Sequence, residues 1–341
     1  MVLPTDPNPT NSAVVQRMLQ FSADLDARDA ATIQQMGRRW IQLEDALEAN
    51  IQLLVLELQE LQAAGQAFNI QHVYKMQRYQ KLLAQMEREM TSYNAWAAYY
   101  IQENQQSMAV LGINNAAEIL HLSLLETGSM AFFDKLPVKA IELMIGNAGK
   151  GGPVYTLLQE AYPLAVDQMT TALIQNIALG FGPKVAAKAM MNGVTGSLNH
   201  ALTVARTEQL RVYREASRQQ YEASGAVQRY KRFASKSGNT CALCLALDGE
   251  IYLSKELMNV HPNDRCTMIP LVNGTKEPMW ELGSDWLRKQ DPAIQKQILG
   301  PGALDLWNKG DIELIDLVNK TEHPIWGPSL NRVPLRDLVQ Q

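Results

Sequence analysis

The sequence predicts a mainly α-helical protein. It comprises a long N-terminal helical hairpin, a helical middle region, a small α+β zinc-knuckle-like module and a short C-terminal tail of helical and irregular structure. Three observations predict it. Apolar residues recur at steps of three and four along the N-terminal third, Gly and Pro punctuate the middle between helical stretches, and all three cysteines lie with one histidine inside 26 residues.

The chain has 341 residues, 46% of them hydrophobic and 19% charged, which gives room for two or three domains and an ordinary buried core. The expected division is a helical arm over 1–130, a helical part over 131–235, a Cys/His knuckle with a short hairpin over 236–272, and a tryptophan-containing segment over 273–341. The net charge of −4 gives no bulk reason for nonspecific nucleic-acid binding. Met1 to Pro7 lacks a cationic stretch followed by an apolar one, no continuous apolar run reaches a membrane span, and the odd cysteine count argues against a disulfide framework. The expectation is therefore a protein made and assembled in a cytoplasm, with no membrane partner.

From Ile33, the residues Met36, Trp40, Leu43, Leu47, Ile51, Leu54, Leu58 and Leu61 trace one helical face, ended by Ala63-Ala64-Gly65. Met76, Tyr79, Leu83, Met86, Met90, Tyr93, Ala97 and Tyr100 repeat the rhythm to about Gly112, so two long helices should fold back on each other. The aromatic and methionine seam reads as their packed interface, and the Asn- and Gln-rich outer faces suit solvent or other subunits, self-association included.

Phe132 to Pro137 reads as a connector, followed by helical stretches at Val138–Met144, Tyr155–Gln168 with a break at Pro163, and Met169–Leu179. Gly146 to Gly152 is a flexible loop rather than a phosphate loop, because a Walker sequence needs Gly and Ser or Thr where Met144 and Gly151 stand. Gly182-Pro183 starts another helix, and a long polar helix is expected from about Leu198 to Ser224. Between Arg206 and Lys236, eight Lys or Arg face three Glu, a local net of +5. Some of that charge is self-neutralised by Arg211 with Glu215 and Glu208 with Arg211, while Arg211, Arg214, Arg218, Lys231 and Arg232 are the candidates for contact with packaged DNA. Tyr213, Tyr221, Tyr230 and Phe233 read as core anchors.

Cys241 and Cys244, two residues apart, can take one tetrahedral ion from a tight turn, and His261 with Cys266 can return to close the site. Leu247 to Tyr252 resembles the tight end of a short β-hairpin. A site of three thiolates and one imidazole has no open position and is structural, so zinc ligation would hold a segment with little core of its own. Two other readings stay open: reduced cysteines packed as small hydrophobes with His261 bonded to backbone, and a redox dithiol at Cys241 and Cys244.

The order Ala205-Arg206-Thr207-Glu208, an arginine-rich helix, Thr240-Cys241-Ala242-Leu243-Cys244, Leu247-Asp248-Gly249 and His261-Pro262-Asn263-Asp264-Arg265-Cys266 resembles the phage Mu F-like minor head protein family. The resemblance spans about Leu173 to Pro270. Segments Gly283–Leu287, Gln295–Gly300 and Trp307–Gly310 look like those that follow this domain in phage proteins. Many relatives carry a cysteine where Asp264 stands, which makes Asp264 an outside candidate for a ligand.

The resemblance implies a non-enzymatic head-morphogenesis protein of a tailed phage or prophage. It would contact portal and capsid proteins during procapsid assembly and DNA packaging, and would reside in the virion after assembly in the bacterial cytoplasm. One rival is a DNA-binding knuckle ejected with the genome. The other is a phage-borne nuclease or toxin using His261, Asp264 and Arg265, for which no triad or open metal position is evident. Trp280, Trp286, Trp307 and Trp326 read as core anchors of the tail.

Overall fold

The repeating apolar pattern resolves into two helices of about fifty residues. In the computed structural model, which describes residues 12–66, 70–125, 153–178, 183–237, 240–324 and 327–338, these are α1 (Ala13–Ala63) and α3 (Gln77–Leu125), with the short α2 (Ile70–Lys75) before α3. The protein is mainly helical. α3 runs past Gly112, the expected end of the pattern, because Ile113, Ala116, Ile119 and Leu120 continue its buried stripe. α3 also contains a window of mean hydropathy 1.4, long and apolar enough by composition to cross a membrane, with half of it buried inside the protein. Asn115, Glu118 and His121 interrupt its apolar residues, so no continuous run exists there.

The chain divides into two units. One comprises Asp29–Asn104 and Gly146–Glu208. Within it, Met36, Trp40, Leu47, Ile51 and Leu54 of α1 and Tyr79, Met86 and Met90 of α3 are fully or almost fully buried, the seam expected from their spacing. Trp40 meets Tyr93 edge to face with ring centroids 4.8 Å apart, and Arg78 pairs with Glu57 at 2.6 Å, so the two segments run antiparallel. α4 (Pro153–Gln159) and α5 (Ala161–Ala178) follow. The break therefore falls at Glu160 rather than at Pro163, which lies in the first turn of α5, where a missing N–H costs no helical bond. α6 (Pro183–Ala223) is one helix from Pro183 onward, longer than the expected start at Leu198 allows. The hydroxyl groups of Tyr79 and Thr170 share a 2.6 Å hydrogen bond, Thr195 donates to Glu44 at 2.7 Å, and Arg206 Nε reaches both oxygens of Asp29 at 2.7 and 2.8 Å.

The other unit comprises Met1–Arg28, Gln105–Ile145 and Gln209–Gln341. Its centre is a three-stranded antiparallel sheet in the order β2-β1-β3, built from β1 (Val227–Phe233), β2 (Ile251–Leu253) and β3 (Thr267–Val272). β1 is the middle strand, with Tyr230 opposite Tyr252 on one side and Pro270 on the other. Pro270, with no N–H to donate, sits on an edge strand as it must. Leu247 to Tyr252 is therefore not a local hairpin: β2 pairs with β1, and the segment before it is a short helix, α7 (Ala242–Ala246).

The tail is more regular than expected. α8 (Gly283–Arg288), α9 (Pro292–Leu299) and α10 (Pro301–Lys309) lead through a 3₁₀ turn at Leu314–Leu317 to the antiparallel pair β4 (Val318–His323) and β5 (Gly327–Arg332), then to α11 (Leu335–Leu338). Trp280 and Trp307 are buried anchors, and Trp286 is partly buried against the same core as Trp307. Val260 bridges to Ser329 in parallel, tying the returning His261 segment to the tail. Trp326, the Phe132–Pro137 connector, the Val138–Met144 helix, the Gly146–Gly152 loop and the Gly182 break lie outside the described residues.

Candidate metal centre

The spacing of Cys241 and Cys244 has a local structural cause. Cys241 is the N-cap of α7 and Cys244 the third residue inside it, so the Cys244 backbone N–H donates to Cys241 Sγ at 3.4 Å and both sulfurs flank one helix start. Two glycines fix where that helix lies. Gly249, at φ +89, turns the chain from α7 into β2, and a Cβ there would meet Leu282 at 2.7 Å. A Cβ on Gly283 would lie 2.5 Å from the Leu245 carbonyl oxygen, so α8 can press on α7 only with glycine there.

His261 arrives on a turn. Asp264 N–H donates to the His261 carbonyl at 3.0 Å, with Pro262 second and Asn263 third at φ 67, the residue pattern of a type II turn. His261 Nε2 lies 3.1 Å from Cys241 Sγ and 3.1 Å from Cys244 Sγ. Its Nδ1 lies 2.7 Å from the Pro262 carbonyl oxygen. A carbonyl only accepts, so Nδ1 carries the proton there, and in the neutral ring Nε2 presents a lone pair to the two sulfurs. Two ligands of one tetrahedral zinc ion, sulfur and nitrogen, would stand roughly 3.5 Å apart from their bond lengths.

These three side chains form a cluster that could hold a metal ion. Cys266 does not join them: its sulfur groups with Cys244 and Asp264 in a second, fully buried set sharing Cys244. All three cysteines are free. A hydrogen bond from Cys244 lowers the Cys241 thiol and raises Cys244 itself, and burial holds Cys266 well above its ordinary range. Burial pulls His261 down, but its hydrogen bond with Cys244 and the charge of Asp264 outweigh that and lift it to about 9.

Asp264 is an anchor in this geometry rather than a free ligand. One oxygen accepts the Cys266 N–H at 2.8 Å and the other accepts Arg232 Nη2 at 2.5 Å, with neither side chain of the ion pair exposed. Burial opposes its charge, yet Arg232, His261 and Arg214 hold its carboxyl well below the usual carboxylate range. Arg214, also buried, donates to the Asp264 and Cys266 carbonyls at 3.0 and 3.4 Å.

The sequence leads one to expect a small core held by metal alone. Instead, Cys244 and Cys266 sit in a hydrophobic cluster with Tyr221, Val227, Tyr230, Tyr252, Met258 and Met268. The Leu-Asp-Gly motif also ties this region together, because Asp248 accepts the Ala234 N–H, Lys236 Nζ and Trp280 Nε1 at 2.9, 2.8 and 3.1 Å.

Residues 167–269 match the family model described as Phage Mu protein F like protein. The resemblance read from Leu173 to Pro270 is borne out over that stretch. No curated protein and no solved structure matches the chain. The Mu F-like segment runs from within α5 through α6, the sheet and α7 into β3, so it contains Cys241, Cys244, His261, Asp264 and Cys266 together.

The basic stretch of the Mu F-like segment needs correction. Arg214 and Arg232 turn inward to Asp264, so neither offers its charge to a phosphate. Arg218 is gripped by Glu215 and Glu222 and donates to the Ser254 carbonyl, Lys231 pairs with Glu277, and Arg211 is half-buried. Tyr213, Tyr221, Tyr230 and Phe233 are buried anchors, as their interleaving suggests. The residues missed by sequence reasoning are Arg214 and Arg232 as partners of Asp264. The signal available was Asp264 itself, a carboxylate between His261 and Cys266 that needs a cation if buried.

Proposed function

We propose that this protein is a non-enzymatic minor head protein of a tailed phage or prophage, assembled in the bacterial cytoplasm into the virion, where it contacts portal and capsid proteins. The observation that carries this is the Mu F-like match over residues 167–269, a family that suggests head morphogenesis. Within it, Cys241, Cys244 and His261 hold a structural zinc ion, with Cys266, whose sulfur already groups with the shared Cys244, as the fourth ligand. Zinc would supply a cross-link between α7 and the His261 turn, not chemistry on a substrate. The site's polar groups support a structural role: both oxygens of Asp264 are engaged by Arg232 and the Cys266 N–H, which commits that carboxylate to holding the site together. Exposed Ile41, Leu53 and Leu56 on α1 and Tyr99 on α3 fit contacts with other proteins.

The test is mass spectrometry of purified particles from the phage or prophage that encodes the chain, beside heads made without its gene. Detection at a fixed number of copies per head, with aberrant or empty heads on deletion, is the expected result. Its absence from particles, with normal heads on deletion, would overturn the reading.

A further inference from the structure

Two guanidinium groups and one carboxylate are buried together behind the cysteines. Arg232 is 0% exposed, Arg214 6% and Asp264 1%. Within this group, two permanent positive charges against one negative leave one positive charge unmatched. Hydrogen bonding leaves it unmatched as well: Arg232 Nε and Arg214 Nη2 are buried without a hydrogen-bond partner. An isolated buried charge of this kind is strongly unfavourable. The nearest groups able to balance it are the sulfurs. Arg232 Nη2 lies 3.5 Å from Cys244 Sγ, and Arg214 bonds the carbonyl of Cys266, whose own N–H bonds Asp264.

We propose that Arg232 and Arg214, held in place by Asp264, are the built-in counter-charge of an anionic metal centre, and that their unmatched positive charge selects a centre with three thiolates rather than two. This rests on the zinc reading above. A divalent ion with Cys241, Cys244 and His261 alone is neutral and leaves the buried arginines unbalanced. With Cys266 as a third thiolate the centre carries one negative charge, and the centre with Arg214, Arg232 and Asp264 is neutral. Arg232 and Arg214 are thus positioning residues: they touch sulfur and backbone, not the ion. Asp264 orients both arginines, Arg232 through its carboxylate and Arg214 through its backbone carbonyl, which explains a carboxylate beside thiolates that would otherwise repel it.

Charge matching makes a prediction that hydrogen bonding alone does not. Zinc affinity of the full chain is measured by competition with a chromophoric chelator for wild type, Arg232→Met, Arg232→Lys and the double variant Arg232→Met with Asp264→Asn. Arg232→Met should weaken zinc binding 10–100-fold, the usual cost of losing a supporting group around a metal ligand set. Arg232→Lys keeps the charge and should stay within a few-fold of wild type. The double variant restores the charge count and should recover most of the affinity lost in Arg232→Met, although it removes one more hydrogen-bonding group. A double variant that binds no better than Arg232→Met, or an unchanged affinity in Arg232→Met, would overturn the counter-charge while leaving the zinc reading standing. Wild type that takes up no zinc would overturn both. If Arg232→Met does not fold, Arg214→Met removes the same charge without touching the Arg232–Asp264 pair. The same loss is expected, and an unchanged affinity overturns the inference.

Discussion

Arg232 and Asp264, 32 residues apart in the chain, meet at 2.5 Å with neither side chain exposed to solvent. The register of the sheet makes that contact: Arg232 lies on the central strand opposite Met268, two residues beyond Cys266. Breaking a buried pair leaves an uncompensated charge, at a cost of about 3–5 kcal/mol. Asp264→Leu should therefore lower the urea midpoint sharply in chelator-treated protein. The double variant Arg232→Met with Asp264→Leu should recover a good part of the loss. A double variant additive in its two single costs would show that the pair is not coupled.

The approach of α8 to α7 gives a second prediction. A Cβ on Gly283 would meet the Leu245 carbonyl oxygen at 2.5 Å, so Gly283→Ala must push the Cys-bearing helix or its own helix aside. The expected destabilisation is about 1–3 kcal/mol, as for overpacking elsewhere. It is read by chemical denaturation, and unchanged stability would mean that the two segments are not closely packed.

Tyr79 gives a pH dependence. It is fully buried, and burial, partly offset by its hydrogen bond to Thr170, pushes its pKa up to about 12. The folded value lies above the unfolded one of about 10, so its contribution is fully present below pH 10 and is lost as pH rises toward 12. Stability should fall across that window, and Tyr79→Phe should flatten the fall. An identical alkaline profile in Tyr79→Phe would contradict the assignment.

How much of this was legible in the sequence differs between sites for physical reasons. Cys241, Cys244 and His261 could be read because the two thiols are local to one helix start and His261-Pro262-Asn263 is its own turn. The Arg232–Asp264 pair could not, because it depends on which strands lie side by side, and the partner of β2 is β1 rather than the adjacent segment. The same cause misled the reading of the basic stretch. A count of Lys and Arg cannot tell an outward cation from Arg214 or Arg232, which point into the core. The long helices were read correctly in kind because a 3-4 repeat is a local signal, but their ends were not, since α3 continues on tertiary packing of Ile113 to Leu120.

Within the unit that holds Trp40, its edge-to-face contact with Tyr93 and near-complete burial make it a principal anchor of the α1 and α3 seam. Trp40→Ala should cost about 3–5 kcal/mol. Differential scanning calorimetry should show the loss as a lower transition temperature for that unit. A shift of under a degree would mean that the seam does not depend on it.

The most direct measurement is elemental analysis of the full chain purified without chelator, beside Cys241→Ser with Cys244→Ser and beside Cys266→Ser. About one zinc per chain in wild type is expected, with none in the double variant and weakened retention in Cys266→Ser. Because Tyr221, Tyr230 and Met268 pack around the cysteines, the zinc-free variants should remain folded at a lower transition temperature rather than unfold. Well-folded wild type with no bound metal would contradict the zinc centre.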